Sequence, residues 1–152
     1  MQNTTTLILF WFILIGNLQA QNRDTLQLMM YNLLNFPNSS SICGSTTVIP
    51  ERWDSLRKIT DYVQPDILMV CELQNETGAD SVLQHSLNSQ GGNYQRASFV
   101  QNRSSLNEFQ NMLFHNADKL SLKEQDEIVT DLRDVNKYTL YYNDPNLGTH
   151  ND

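Results

Sequence analysis

One carboxylate in this sequence stands where chemistry would need it. Glu72 ends an unbroken apolar run that follows Pro65 and Asp66. Runs of this kind form strands buried on both faces of a sheet, and the carboxyl ends of such strands are where ligands gather. Since an unpaired buried charge is very costly, the Glu72 carboxylate must be hydrated, paired or bound to a metal ion. On this pattern alone, a solvated residue opening the next loop and a functional carboxylate are equal alternatives.

A second polar side chain, Asn32, ends an earlier strand candidate. Residues 25–32 alternate at Leu26 and Leu28 and then become continuously apolar up to Asn32. A neutral amide can orient a ligand or donate a hydrogen bond to a phosphate oxygen without repelling it. A turn residue at a strand end is the plainer interpretation of Asn32, and the local pattern by itself favours it.

The segment between these two strands predicts a helix. Residues 50–64 carry an apolar face at spacings of three and four, and Pro65 ends the pattern. A strand, a helix and a second strand in this order make a βαβ crossover and imply parallel pairing of the two strands.

Beyond Glu72 the patterns change from helical to strand-like. A helix is predicted at residues 77–88. Short runs rich in aromatic and β-branched residues then predict strands at residues 94–100, 111–115 and 137–143. Residues 116–119 have the chemistry of a hairpin turn, and one further strand is placed near residues 127–130. A βαβα half therefore leads into a mostly antiparallel half of an α/β fold.

The charge balance and the N-terminus restrict the classes of function. A net charge of -7 and a pI of about 4.8 argue against a surface that holds nucleic acid by bulk charge, whereas a local phosphate site built around a metal ion is compatible with them. Residues 1–20 have the pattern of a signal peptide, with an apolar run at residues 7–15 that is too short for a membrane span. We therefore expect an exported protein that is periplasmic, extracellular or at the cell surface, without a membrane span after cleavage.

Cysteine and histidine usage predicts no zinc site. Export permits disulfides, but we interpret Cys43 and Cys71 as unpaired thiols. The three histidines, His85, His115 and His150, are scattered and do not have the spacing of zinc ligands.

Three segments together resemble the endonuclease/exonuclease/phosphatase superfamily, which includes pancreatic-type deoxyribonucleases and bacterial sphingomyelinases. Residues 30–36, Met-Tyr-Asn-Leu-Leu-Asn-Phe, resemble its opening strand, which ends on an active-site asparagine. Residues 65–74 resemble its second motif, whose strand ends on the metal-binding glutamate, and residues 111–120 resemble a later strand and turn. The resemblance implies part of a two-sheet α/β sandwich with helices packed outside it.

The same resemblance assigns roles to individual residues. It implies that Asn32 and Glu72 are catalytic and hold a divalent ion, Mg²⁺ or else Mn²⁺ or Ca²⁺, which prefers oxygen ligands. It places Arg133 near the substrate phosphate and Asn111 towards the substrate. For Arg133 a solvated surface arginine between acidic neighbours is the plainer interpretation, and for Asn111 a structural amide is an equal alternative.

The departures from the family pattern are as informative as the matches. Two of the family's later motifs, a histidine followed by leucine and a terminal Asp-His pair, do not occur in this sequence. Asp144-Pro145-Asn146 has the spelling of the third, an Asp-x-Asn loop, but we interpret it as a turn because of its proline and its early position. We therefore interpret residues 21–152 as the N-terminal half of such a domain and expect this fragment to be inactive alone. The expected parent is an exported metal-dependent phosphodiester hydrolase acting on nucleic acid or a phospholipid headgroup. The alternative is a non-catalytic exported binding module on the same scaffold.

Overall fold

The computed structural model describes residues 25–37, 51–103 and 109–143. Along the chain the elements are β1 (Leu28–Phe36), α1 (Arg52–Val63), β2 (Ile67–Leu73), α2 (Glu76–Ser81), β3 (Tyr94–Arg96), β4 (Gln110–Asn116), β5 (Leu120–Ile128) and β6 (Val135–Tyr142). A π-helical turn, Val82–Leu87, continues α2. Four strands form one sheet in the order β1-β2-β4-β3, and β5 pairs with β6 in a two-stranded antiparallel hairpin.

The crossover from β1 through α1 to β2 follows the predicted order. β1 and β2 pair in parallel, with Leu28 opposite Ile67. α1 ends where Gln64 takes a left-handed conformation, with φ 49°, and its N–H donates to the Thr60 carbonyl at 2.7 Å. Pro65 follows directly and cannot continue the helix. The helix predicted at residues 50–64 is therefore confirmed within the described part of the chain.

One face of the four-stranded sheet, here called the helix face, is fully covered along β2 and β4. The Arg96 side chain on β3 reaches Glu76 and Asp80 on α2, at 2.8 Å each, so this side chain points towards the helices. Strand register places Phe114 beside Arg96, and Leu68 beside Phe114, on the same face. The side chains of this face on β2 and β4 are no more than 3% exposed: Leu68, Val70, Met112 and Phe114.

The opposite face, here called the hairpin face, is covered only in part. Gln125 on β5 exchanges two hydrogen bonds of 2.9 Å with the backbone of Ser98, which anchors the hairpin beyond the end of β3. Asn143 Nδ2 donates to the Ala117 carbonyl at 3.0 Å and anchors it at the end of β4. On β1, by contrast, Leu28 is 60% exposed and Met30 is 73% exposed. The hairpin therefore leaves the β1 side of this face open to solvent.

Two strand predictions need correction. The strand expected to be buried on both faces runs over Ile67–Leu73 and is only half-buried on the hairpin face, because the hairpin does not extend over it fully. The first strand does not end on Asn32 but continues to Phe36. Its pairing with β2 becomes irregular after Asn32, where Leu34 and Asn35 take positive φ values of 46° and 63°. The local hydrophobic pattern of β1 does not indicate this irregularity. The sequence therefore did not predict that the strand continues beyond Asn32.

The connections after β2 also differ from the expected ones. The helix predicted at residues 77–88 begins with a cap, since Asn75 Oδ1 accepts from the Gly78 N–H at 2.8 Å, and it changes to π-helical geometry at Val82. The turn at residues 116–119 exists, but β4 and β5 belong to different sheets, so it passes the chain between layers and closes no hairpin. The strand placed near residues 127–130 is the end of the longer β5.

The fold class agrees with the sequence prediction. Two sheets, of four and two strands, and two helical segments form a mixed α/β structure that is not a closed barrel, consistent with an incomplete α/β sandwich. Among the described residues no helix is both long enough and apolar enough to span a membrane.

Candidate functional site

Three of the residues singled out by the sequence line one groove on the hairpin face. Asn32 on β1 lies opposite Cys71 on β2, and Asn111 on β4 faces the same groove. Arg133, from the loop between β5 and β6, lines it from the hairpin side. The groove has a volume of about 480 Å³. The tertiary structure therefore brings Asn32, Asn111 and Arg133 together from three separate parts of the chain.

The walls of this groove are largely apolar. Its further lining comes from β1, β2, β4 and the start of β6: Met30, Tyr31, Met69, Val70, Cys71, Met112, Asp134, Val135, Asn136 and Tyr138. Polar groups thus occupy only part of a lining dominated by methionine, tyrosine and valine side chains.

Asn32 performs a local structural task as well as facing the groove. Its Oδ1 accepts a hydrogen bond from the Leu34 N–H at 2.7 Å, which closes a short side-chain turn at the point where β1 becomes irregular. The side chain is exposed, and its Nδ2 group is directed by this turn. A carbonyl oxygen has a second lone pair, so the hydrogen bond to Leu34 leaves Asn32 able to contact a further group.

Glu72 is held in an uncommon backbone conformation next to the groove. Its φ is 59°, in the left-handed region that costs a non-glycine residue about 1–3 kcal/mol and is frequent at functional sites. The carboxylate is half-buried and makes no ion pair with another described residue. Glu72 is not among the residues that line the groove, but its neighbour Cys71 is. The structure therefore does not bring Glu72 into the groove that holds Asn32, Asn111 and Arg133.

The pKa of the Cys71 thiol depends on the charges around it. Burial raises the pKa of this thiol, the Glu72 carboxylate raises it further, and the Arg133 guanidinium lowers it. Both charges are thus close enough to act on the Cys71 thiol. Cys71 is a free thiol, as expected, and Cys43 lies outside the described residues.

Arg133 lies in a loop that is held by hydrogen bonds. The Asp134 carboxylate accepts hydrogen bonds from the backbone of Arg103 at 2.8 Å and of Thr130 at 2.9 Å, and these donors hold the pKa of Asp134 below its usual value. The Arg133 guanidinium carbon lies 4.9 Å from the centre of the Phe109 ring. Within the described ranges no carboxylate pairs with Arg133, so its charge remains available to a ligand.

The candidate donors, a carboxylate and an amide oxygen, are of the type that a hard divalent ion prefers. Among the described residues there is no group of three or more His, Cys, Asp or Glu side chains that could hold a metal ion. Mg²⁺ keeps several waters and needs only one or two carboxylates together with substrate oxygens. Glu72, assisted by the Asn32 amide oxygen, could supply such a partial shell, whereas a tetrahedral zinc site requires more protein ligands.

A second cavity lies at the other end of the sheet, and polar groups in its lining bind one another. It measures about 590 Å³ and lies between the end of α1 and the turns around Gly92 and Asp118. Its buried carboxylate, Asp66, pairs with Lys119 Nζ at 2.9 Å, and Asp118 accepts from Asn93 Nδ2 at 2.7 Å. Because these groups bind each other, this cavity offers no free ligand set.

The sequence analysis did not identify several of the residues that line the groove. Cys71, Asn136 and Tyr138 line the groove, and none of them was proposed as a site residue. The alternation along β2 contains a signal for Cys71, since every second residue of a strand shares a face with its register partner on the neighbouring strand. No local signal identifies Asn136 or Tyr138, because they reach the groove only through the fold of the hairpin.

Comparison with known proteins gives this chain no relative: no family model matches it, and no curated protein does.

Proposed function

We propose that this chain supplies the metal-binding and phosphate-binding half of an exported, divalent-metal-dependent phosphodiester hydrolase. The observation that carries the proposal is the grouping of Asn32, Asn111 and Arg133 in one groove. Glu72 follows the groove residue Cys71 in the chain, and its carboxylate makes no ion pair with another described residue. The resemblance of the strands that bear Asn32 and Glu72 to the endonuclease/exonuclease/phosphatase pattern supports the same assignment. Export is part of the proposal and rests on the signal-like pattern of residues 1–20.

Each residue has a distinct task in this proposal. Glu72 and the Asn32 amide oxygen would hold Mg²⁺, Mn²⁺ or Ca²⁺, which when bound neutralises charge on the phosphoryl oxygens and orients the attacking water. Arg133 has a planar guanidinium that can donate two parallel hydrogen bonds to a phosphate. The Asn32 and Asn111 amides can donate to phosphate oxygens without adding negative charge.

The described residues provide positioning rather than a complete catalyst. Hydrolysis of a phosphodiester also needs a group that accepts or donates the proton. The described residues contain no group of three or more His, Cys, Asp or Glu side chains that could hold a metal ion, and the Asp134 carboxylate in the groove lining is bound to two backbone N–H groups. The proposal is therefore tested on binding by the chain itself.

The decisive experiment is metal titration of the chain with a matched pair of charge-neutral variants. Mn²⁺ binding is measured by isothermal titration for the native chain, for Glu72→Gln and for Glu124→Gln, which changes an exposed glutamate on β5. We expect the removal of the Glu72 carboxylate to weaken binding by about tenfold or more, the scale of one lost charged interaction. Equal Mn²⁺ affinity in Glu72→Gln and the native chain would remove the basis of the proposal.

A second titration examines the phosphate contact. A small phosphodiester is titrated in the presence of Mg²⁺ into the native chain, Arg133→Ala and Lys58→Ala. Lys58 serves as the control because it lies on α1, away from the groove. We expect Arg133→Ala to weaken binding by about tenfold, since charge-assisted hydrogen bonds contribute roughly 1.5–3 kcal/mol. A loss of the same size in Lys58→Ala would show that only overall charge is being measured.

The alternative function is a non-catalytic exported binding module, and one observation favours it. The Asn32 Oδ1 already accepts the Leu34 N–H, and the groove is mostly apolar, which suits a ligand that is held rather than cleaved. The two functions differ in turnover by the longest natural product that contains this chain. Mg²⁺-dependent cleavage of a phosphodiester that is lost in Glu72→Gln supports the hydrolase, and tight binding without cleavage supports the binding module.

A further inference from the structure

A histidine without a described hydrogen-bond partner is buried between the two layers of this fold. His115, on β4, is 1% exposed, and neither Nδ1 nor Nε2 has a hydrogen-bond partner among the residues that the structure describes. Buried polar groups are nearly always paired, so an imidazole with both nitrogens unpaired calls for an explanation. It takes no part in the groove described above.

Strand register shows which layer His115 faces. It pairs with Gln95 on β3 and Ile67 on β2, one residue out of phase with Arg96 and Phe114, which belong to the helix face. Neighbouring residues of a strand point to opposite faces, so His115 points towards the hairpin. The hairpin is anchored along β4 on both sides of it, through Asn136 to the Asn111 carbonyl and through Asn143 to the Ala117 carbonyl.

The groups around His115 offer no compensating charge. Just before β2, the Asp66 carboxylate is already bound by Lys119 and by the Gln27 N–H, and on β3 Arg96 faces the helices. The titratable side chains on the inward face of the hairpin are Glu127, bound to Arg103 at 2.6 Å, Tyr138 and, at the exposed end of β6, Tyr142. The remaining charged or titratable side chains of the hairpin point outward, into solvent: Lys123, Glu124, Asp126, Lys137 and Tyr141.

We propose that His115 is an acid-sensitive latch: the hairpin packs over it only while the imidazole is neutral, and protonation releases β5 and β6 from the four-stranded sheet. Charging this ring inside the sandwich would leave an unpaired cation in an apolar layer, which is far more costly than exposing it to water. The hairpin is the element free to move, because it is held to the sheet by side-chain hydrogen bonds and by apolar packing of Leu122, Tyr138 and Leu140. The strands β1, β2 and β4, by contrast, are joined by backbone ladders.

The direction of the pH effect follows from burial. Burial lowers the pKa of His115 below its ordinary value of 6.5. The opened form, with the ring in water, therefore takes up a proton first, and the closed form loses stability as the pH falls below about 6.5. Between that pH and the lowered pKa, the ratio of opened to closed forms rises by about tenfold per pH unit, since one proton is bound on opening.

Hydrogen exchange resolved by residue tests the latch in the intact chain. Amide protection, corrected for the intrinsic effect of pH, is measured from pH 7.5 to pH 5 for the amides that bond to the hairpin across the two layers, here called hairpin amides, such as that of Ser98, which donates to Gln125 Oε1 on β5 at 2.9 Å. We expect hairpin protection to stay level down to about pH 6.5 and to fall by about tenfold for each pH unit below it. Amides of α1, such as that of Gln64, are expected to stay protected, and equal loss in both regions would overturn a release confined to the hairpin.

Two variants separate His115 from the other histidine of the described chain. His115→Phe removes the titrating group and fills the same space, so hairpin protection is expected to become independent of pH in this range. His85→Asn removes an exposed histidine that contacts Trp53, and its hairpin is expected to respond to pH as the native one does. An unchanged acid response in His115→Phe would overturn the proposal.

A measurement on the native chain decides the matter even if His115→Phe does not fold. The NMR signals of the His115 ring are followed over the same pH range together with the hairpin amides. Loss of hairpin protection in step with His115 titration supports the latch. A His115 ring that becomes protonated while the hairpin amides stay protected overturns it.

Discussion

The two faces of the four-stranded sheet have very different surroundings although the same strands form both. On the helix face Leu68 and Phe114 are 0% exposed, and α1 and α2 cover them completely. On the hairpin face Met30 is 73% exposed and Leu28 is 60% exposed. The comparison shows that the helices complete the hydrophobic core over β2 and β4. The hairpin, by contrast, covers the opposite face of the sheet only at β3 and β4. The candidate site lies at the boundary between the closed and the open part of the hairpin face.

The largest effect that would test this contrast is a pair of truncations, one on each face. Phe114→Ala leaves a cavity in the finished core, and we expect it to lower the free energy of unfolding by about 3–5 kcal/mol. Met30→Ala removes an exposed side chain and should change the free energy of unfolding by no more than about 0.5 kcal/mol. Urea unfolding followed by circular dichroism measures both. Similar losses for the two variants would mean that Met30 is buried in solution.

A smaller effect is expected from the cap that starts the helical layer. Asn75→Ala removes the side-chain acceptor for the Gly78 N–H, and we expect it to lower the free energy of unfolding by about 1 kcal/mol. Thr77→Ala in the same first turn is the control, since its hydroxyl provides no such cap. Urea unfolding of both variants compares them with the native chain. Equal losses in Asn75→Ala and Thr77→Ala would show that helix propensity rather than capping is responsible.

The smallest change in the free energy of unfolding is expected for a double variant that makes the exposed surface of β1 much less apolar. We expect the double variant Leu28→Lys with Met30→Lys to bind less of the apolar dye ANS, because it interrupts the exposed apolar strip of β1. Its free energy of unfolding should stay within about 0.5 kcal/mol of the native value, since both side chains are exposed. Dye fluorescence and urea unfolding are measured on the same samples. Strong destabilisation with unchanged dye binding would contradict an open hairpin face.

The site depends on both faces, and this explains why its residues are hard to recognise in the sequence. The helix face fixes β2 and β4, and thereby the positions of Cys71 and Asn111. The hairpin contributes Arg133 through a loop held by the Asp134 carboxylate. Arg133 was interpreted most simply as a surface arginine, and it is exposed, but the loop directs it to the groove beside Asn32. The roles of these residues in phosphodiester chemistry stay predictions until the titrations are done.

The sequence by itself determined the elements whose signals are local. Parallel β1 and β2, the helix between them and its end before Pro65 follow from hydrophobic periodicity and from the geometry of proline. Fold class follows in turn, since a βαβ unit joined to strand-rich sequence allows few arrangements. Signals of this kind survive in any tertiary context because they arise from neighbouring residues.

Only the tertiary structure decided the features that depend on contacts between distant segments. These features are the passage of the chain between layers at the turn before β5 and the left-handed backbone at Glu72. The burial of His115 and the position of Arg133 and Asn32 in one groove belong to the same group. Each is set by which surfaces bury one another and by the register across the strands. A hydrophobic pattern predicts that a side chain is buried, but it does not predict which residues that side chain contacts. The candidate site depends on such contacts between distant residues.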